Sequence, residues 1–240
     1  MAIDYCQRVW DSKLDKWVGI KISDMSVNEA DFWDAKIQPE IRRIAMKEIS
    51  EGAPLTRPDY KWPWGRMRRG LPLAQGLVGR RCRMLTLSLK SDAGKAVPAG
   101  MLILIEKYPW LLQNGRLFRF GFAKESTFLW FLSSAPKDAL QAQGVRETPS
   151  LIRALIDSAL VTSISQGLKG RMWLHAAPQG GVKLFDTYAN RCKLKNVEPG
   201  AKIPRIPRPF SGVSSDGRHF YATPGLARRL IDELKEWRRI

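Results

Sequence analysis

The stretch that most constrains this 240-residue chain is residues 125–194, which reads strand, loop, helix, strand, helix. Residues 127–133 form a short apolar run rich in aromatics, as buried strands are. Residues 134–147 read as a loop. Thr148-Pro149-Ser150 then predicts a helix start, with a hydroxyl at the N-cap and proline at the first helical position. Leu151, Ile152, Leu155, Ile156, Ala159 and Leu160 follow at helical spacing, and Gln166-Gly167 ends the run. Residues 171–177 predict a second strand. Pro178 to Gly181 turn into a second helix carrying Val182, Leu184, Phe185 and Tyr188, which ends near Cys192. A strand feeding a helix and then a neighbouring strand is a right-handed, usually parallel crossover. Ligands of open α/β sheets favour strand carboxyl ends beside helix N-termini. Residues 134–150 are therefore the first place to expect a bound anion.

The flanking chain supplies more sheet. Residues 16–23 alternate as a first strand. Residues 26–50 read as a long helix with Ser26 as cap and Glu29 three residues on, and Pro39 predicts a kink or two helices. Residues 81–90 and 97–106 predict an antiparallel hairpin across the turn at Ser91–Gly94, and the second strand looks buried on both faces. Residues 108–124 read as a connection with a turn at Asn114-Gly115. After Leu194 the chain is Pro-rich and basic, with Pro199, Pro204, Pro207 and Pro209 beside Lys202, Arg205 and Arg208, and predicts an extended loop with no strand. Residues 218–222 predict a last strand. Thr223-Pro224 starts a final helix whose Arg228, Arg229, Arg238 and Arg239 form a basic exposed face.

A formal net charge of +17, from 40 Lys and Arg against 23 Asp and Glu, favours a polyanionic partner, although a solvated surface or a phosphate-rich cofactor accounts for it too. The charge is densest over residues 57–83, with eight Lys or Arg and one acid. Tyr60, Trp62 and Trp64 interleave with these residues. Exposed aromatics among cations can stack bases, whereas tryptophans beside prolines also cap cores under loops. Arg66, Arg68, Arg69, Arg80 and Arg81 are the candidate nucleic-acid contacts. No apolar run approaches the roughly 18 residues of a membrane helix. The N-terminus lacks the basic-then-apolar pattern of a signal peptide. Three scattered cysteines, Cys6, Cys82 and Cys192, fit reduced thiols in the cytoplasm.

Residues 170–194, Gly-Arg-Met-Trp-Leu-His-Ala-Ala-Pro-Gln-Gly-Gly-Val-Lys-Leu-Phe-Asp-Thr-Tyr-Ala-Asn-Arg-Cys-Lys-Leu, resemble the second half of a GNAT-type N-acetyltransferase domain. The element order of the whole chain agrees with that superfamily. The segment at the pyrophosphate-loop position, Arg146-Glu-Thr-Pro149-Ser-Leu151, lacks the usual glycines. The resemblance implies an α/β (α+β) fold: a mixed, mostly antiparallel central sheet flanked by helices. It implies one domain over residues 1–240, with an N-terminal half at 1–124, an acyl-CoA-binding half at 125–198, and a basic C-terminal elaboration at 199–240. It implies acetyl-CoA or another acyl-CoA as cofactor. The strand holding Phe131, Leu132 and Ser133 would take the pantetheine arm, and Thr148, Ser150 and Leu151 the pyrophosphate, with Arg146 as a phosphate partner or simply a solvated arginine. Tyr188 would be the general acid, unless it is a core residue.

Glu106 and Glu125, at strand ends, are candidate bases or plain strand-end charges. The two histidines, His175 and His219, are too few to suggest a histidine metal site, and no metal ligands are expected. Two functions stay open: acyl transfer to the amine of an anionic acceptor such as nucleic acid or a tRNA-linked group, and non-catalytic binding of nucleic acid on the same fold.

Overall fold

Period-two alternation sends the side chains of the long central strands to cores on opposite faces of the sheet. Leu85, Leu87, Leu89, Leu102 and Leu104 enter one, and Met84, Met101 and Ile103 enter the other. The computed structural model describes residues 3–111, 124–204 and 212–239. The strands are β1 (Arg8–Asp11), β2 (Lys16–Asp24), β3 (Cys82–Lys90), β4 (Ala96–Pro109), β5 (Glu125–Ser134), β6 (Met172–His175), β7 (Lys195–Asn196), β8 (Lys202–Pro204), β9 (Gly212–Ser214) and β10 (His219–Ala222). Eight of them make one sheet in the order β1-β2-β3-β4-β5-β6-β10-β7. Its pairs are antiparallel except β5 with β6. The fold is thus the expected mixed, mostly antiparallel sheet flanked by helices, with the crossover in the expected place.

The helix at Ser26 begins with the predicted capping box: the Glu29 amide donates to Ser26 Oγ at 3.1 Å, and Ser26 N donates to the Glu29 carboxylate at 2.7 Å. It continues as α1 (Val27–Phe32), a π-helical turn at Trp33–Ile37, and α2 (Gln38–Ser50). The break falls where Pro39 lacks an amide, and the wider turn absorbs it. Asp34 in that turn accepts from the amides of Trp64 at 2.9 Å and Gly65 at 2.8 Å. It thereby caps α3 (Trp64–Arg69), which α4 (Leu71–Val78) follows. These two short helices were not legible in the basic stretch.

Between β5 and β6 lie α5 (Lys137–Gln141), inside the predicted loop, and α6 (Ile152–Ser165). The crossover helix begins later than expected, with Leu151 at its N-cap and no side-chain cap. Thr148 and Pro149 stand outside it. Gly100 on β4 lets α6 approach, since a Cβ there would meet both Leu155 methyls at 3.0 Å. Residues 154–163 are buried all round, because the sheet covers one side and both chain ends cover the other. The polar residues among them are satisfied: Ser158 Oγ donates to Ala154 O and Thr162 Oγ1 to Ser158 O, each at 2.8 Å.

The second predicted helix is α7 (Gly181–Asp186) running into a π-helical turn at Thr187–Arg191. The last helix, α8 (Pro224–Glu233), has the expected Thr223 cap on the Leu226 amide, followed by a 3-10 turn at Lys235–Arg238.

Two expectations are corrected. The Pro-rich segment is not only loop, because β8 pairs antiparallel with β9 and β7 joins the main sheet. Arg238 does not belong to a basic exposed face: its guanidinium turns inward to Asp157, 2.5 Å away. The turn at Asn114-Gly115 and residues Arg205, Pro207, Arg208 and Pro209 lie outside the described residues.

Candidate functional site

The site forms where the two parallel strands part. β6 pairs with β5 only at Thr127, Phe128 and Leu129. One residue later, Trp130 is an extra residue in β5, because Leu129 faces Leu104 and Phe131 faces Ile103. A bulge of this kind bends its strand. Residues 130–134 therefore keep β4 as a neighbour on one edge and lack a strand on the other. That free edge opens into a cleft of about 630 Å³.

The β5 wall of the cleft includes Phe131, Leu132 and Ser133, and its far wall includes Leu174 and His175 at the end of β6. Thr148, Pro149, Ser150, Leu151 and Ile152 form the segment entering α6, and Leu184, Thr187, Tyr188 and Arg191 come from the second helix. The α6 N-terminus reaches the cleft with its first amides free of any side-chain cap. Such amides and the helix dipole attract anions. Proline at 149 costs no donor here, because it precedes the helix. Arg191 and Lys137 line the same mouth, and Arg191 donates to Ser150 Oγ at 2.8 Å.

Tyr188 lines the cleft while remaining buried. Among the described residues its hydroxyl has no hydrogen-bond partner. Burial, with smaller effects from Cys192 and Asp59, raises its pKa above the ordinary phenol value. It is therefore a phenol that stays protonated at neutral pH. The two carboxylates expected beside it are elsewhere. Glu125 starts β5, at the opposite end from the cleft, and pairs with Arg80 at 3.1 Å. Glu106 is buried in β4, 3.7 Å from Arg81. Neither lines the cleft. Arg146 is also outside it, exposed and paired with Asp92 at 2.7 Å.

Sequence reasoning missed a buried polar group beside the β5 wall. Asp59 is 4% exposed and accepts from Arg57 Nε at 2.9 Å, from the second Arg57 nitrogen at 2.5 Å, and from Ser133 Oγ. Beside it the Trp62 ring meets Phe131 edge-on at 4.7 Å. The link from Ser133 to Asp59 spans 74 positions, so no local pattern could show it. Trp62 and Asp59 line the cleft, whereas Trp64 is fully buried against Trp33 and cannot stack a base.

Most of the basic cluster has a partner within the chain, although Arg69 and Arg81 stay exposed. Arg68 donates to Met25 O at 2.7 Å, Arg69 to Asp31 at 2.8 Å, and Arg80 and Arg81 hold Glu125 and Glu106. Arg66 is exposed, with no such bond to any described residue.

His175 and His219 face each other across β6 and β10, with rings stacked 4.3 Å apart. His175 Nε2 is 2.8 Å from one Asp216 oxygen, and His219 Nδ1 is 3.3 Å from the other. Burial, and then the neighbouring His175, lower the His219 pKa to about 4. His175 is exposed at the cleft rim. Cys192 is buried with its thiol pushed up to about 12, so it is no nucleophile at neutral pH.

No family model matches the chain, and no curated protein matches it. Among solved structures it is similar to AtaTR bound with AcCoA, at 14% identity and a TM-score of 0.41 over 88% of this chain and 98% of that one. It is similar to AtaT complexed with acetyl-methionyl-tRNAfMet, at 14% identity and a TM-score of 0.39 over 88% and 99%. A third is the KacTA-DNA complex, at 14% identity and 0.40 over 70% and 83%. No helix among the described residues is long and apolar enough to cross a membrane.

Proposed function

We propose that the chain is an acyl-CoA-dependent N-acyltransferase of GNAT type that transfers an acetyl group to an amine. The observation that carries this reading is the free edge of β5 beyond Leu129, opening into a cleft that the uncapped α6 N-terminus and Tyr188 also reach. An unpaired strand edge offers amides and carbonyls to an extended ligand such as a pantetheine arm. Phe131, Leu132 and Ser133 lie along that edge. Ser150, Leu151 and the first amides of α6, with Arg191 and Lys137, suit a pyrophosphate. The donor groups present therefore fit both the amide-rich and the anionic parts of such a cofactor.

An acyl thioester supplies the activated acyl group when bound. The chain's own task is to orient it, exclude water and manage one proton. Tyr188 holds its proton on Oη at neutral pH, because burial disfavours the phenolate. In this reading it donates that proton to the departing thiolate. Direct attack by the acceptor amine requires no covalent enzyme intermediate, consistent with buried, protonated cysteines. The formal charge of +17 favours an anionic acceptor, such as a nucleic acid or a tRNA-linked amine.

Calorimetric titration of nucleic-acid-free protein with acetyl-CoA, with ATP as control, tests the cofactor. Micromolar binding of acetyl-CoA is expected, and no binding by the folded protein refutes the reading. The Tyr188→Phe variant is expected to keep that affinity and to lose roughly 10²–10⁴-fold in turnover. Full turnover in this variant refutes the acid role. RNA and DNA binding at low salt tests the acceptor class, since the electrostatic attraction is greatest there.

A further inference from the structure

The chain has two histidines, and both meet on one carboxylate. His175 ends β6, His219 begins β10 directly opposite it, and Asp216 sits in the turn that leads into β10. One nitrogen of each ring and a carboxylate oxygen lie within 4.8 Å of one another. We infer that His175, Asp216 and His219 form a binding site for a late first-row divalent cation of the zinc class, at the rim of the cleft.

Two imidazoles and a carboxylate are a borderline donor set, which suits zinc, cobalt or nickel better than calcium or magnesium. Bonds of about 2.1 Å at tetrahedral angles place ligand atoms about 3.4 Å apart. His175 Nε2 lies 2.8 Å from Asp216 Oδ2 and His219 Nδ1 3.3 Å from Oδ1, and the three ligand atoms lie within 4.8 Å of one another, so rotation of the exposed His175 and Asp216 side chains can bring them to that spacing. The cross-strand register holds the two rings on one face of the sheet, stacked at 20°. The supports behind the ligands are also built. The Arg218 amide donates to Asp216 Oδ1 at 2.9 Å, which fixes the carboxylate and leaves Oδ2 for the ion. Ser215 Oγ takes the Gly217 amide at 3.1 Å and lies 3.2 Å from His219 Nδ1, a contact that a bound ion would replace. The Arg218 guanidinium spans the carbonyls of Ala176, Ala177 and Gly181, tying this turn to the start of α7.

Three protein ligands leave at least one coordination position to water or an anion. His175 and Asp216 are exposed, and His175 lines the cleft, so that position is reachable from the cleft rim. The competing thiols are buried at Cys6, Cys82 and Cys192. The site does not depend on the acyltransferase reading, and its test is separate from any activity.

Tag-free full-length protein, stripped with a chelator, is titrated with Zn²⁺ by calorimetry and with Co²⁺ by visible absorption. One equivalent is expected to bind with micromolar affinity or better. Cobalt is expected to give visible d–d bands without thiolate charge transfer. The imidazole resonances of both histidines, the only two in the spectrum, are expected to shift or broaden together. His175→Ala and Asp216→Ala, both exposed and expected to fold, should each weaken binding at least about tenfold. Absence of a one-to-one complex overturns the assignment. So does undiminished affinity in His175→Ala, or a cobalt spectrum dominated by sulfur.

Discussion

Removing the Arg238 guanidinium should expose how strongly the chain ends hold the crossover helix. Asp157 on α6 is 1% exposed and the helix is covered on both sides there. Its oxygens meet Arg238 at 2.5 Å and the Cys6 thiol at 3.2 Å. Arg238 also donates to the carbonyls of Asp4 and Leu234, each at 2.9 Å, joining both termini over α6. Burial raises the Asp157 pKa, against the pull of Arg238. Arg238→Ala leaves that carboxyl without its countercharge, and a lone buried charge costs about 3–5 kcal/mol. For a domain of this size that lowers Tm by roughly 6–20 °C. The sign of the pH dependence follows from the raised pKa. The native carboxyl holds a proton at pH values where the unfolded one, near its ordinary value, has lost it. Stability of the variant should therefore improve as pH falls toward the unfolded value, and worsen as pH rises. Asp157→Asn in the same background should recover a large part of the loss. Urea melts of the wild type, Arg238→Ala and the double variant, at two pH values, measure all of this. A loss under about 1 kcal/mol, or no recovery in the double variant, refutes the view of a buried charge held by one guanidinium.

Gly170, at φ +80°, would bring a Cβ to 2.4 Å from that of Ala227, so Gly170→Ala should cost about 2–5 kcal/mol in a denaturant melt. Asp34→Ala removes the acceptor for two amides at the start of α3 and should cost about 1–2 kcal/mol without altering acetyl-CoA affinity by calorimetry. Burial pushes the Cys82 thiol up to about 11 and Cys192 to about 12. At pH 8 only about one Cys82 thiol in a thousand is ionised, so native protein should resist thiol reagents that label the urea-unfolded chain quickly. Because unfolded thiols ionise near pH 8.5 and native ones do not, stability should also fall as pH rises above about 8.5.

Much of the architecture was written in local pattern. The capping box at Ser26 and Glu29, the alternation through residues 81–106 and the apolar helix between two strands all rest on neighbours within a few positions, and they stand as expected. Phe131, Leu132, Ser133, Thr148, Ser150, Leu151 and Tyr188 all reach one cleft, because the crossover order dictates which strand end meets which helix start. Arg146, Glu106 and Glu125 do not reach it, since a sequence shows that a charge ends a strand but not which end of the sheet is open.

What only tertiary structure decided lies across long separations. The bulge at Trp130 opens the free edge, and it exists only as a register against β4. Asp59 meets Ser133, Arg238 meets Asp157, and His175 meets His219 and Asp216 through sheet order and packing, not through spacing along the chain. The two histidines are 44 positions apart in the sequence. Strand pairing places their rings 4.3 Å apart on one aspartate. Short-range periodicity determines which elements form and which face they bury, because hydrophobic burial and backbone geometry act on neighbours. The chemistry of a site is set by which elements become adjacent, and that is decided only when the whole sheet is packed on both faces.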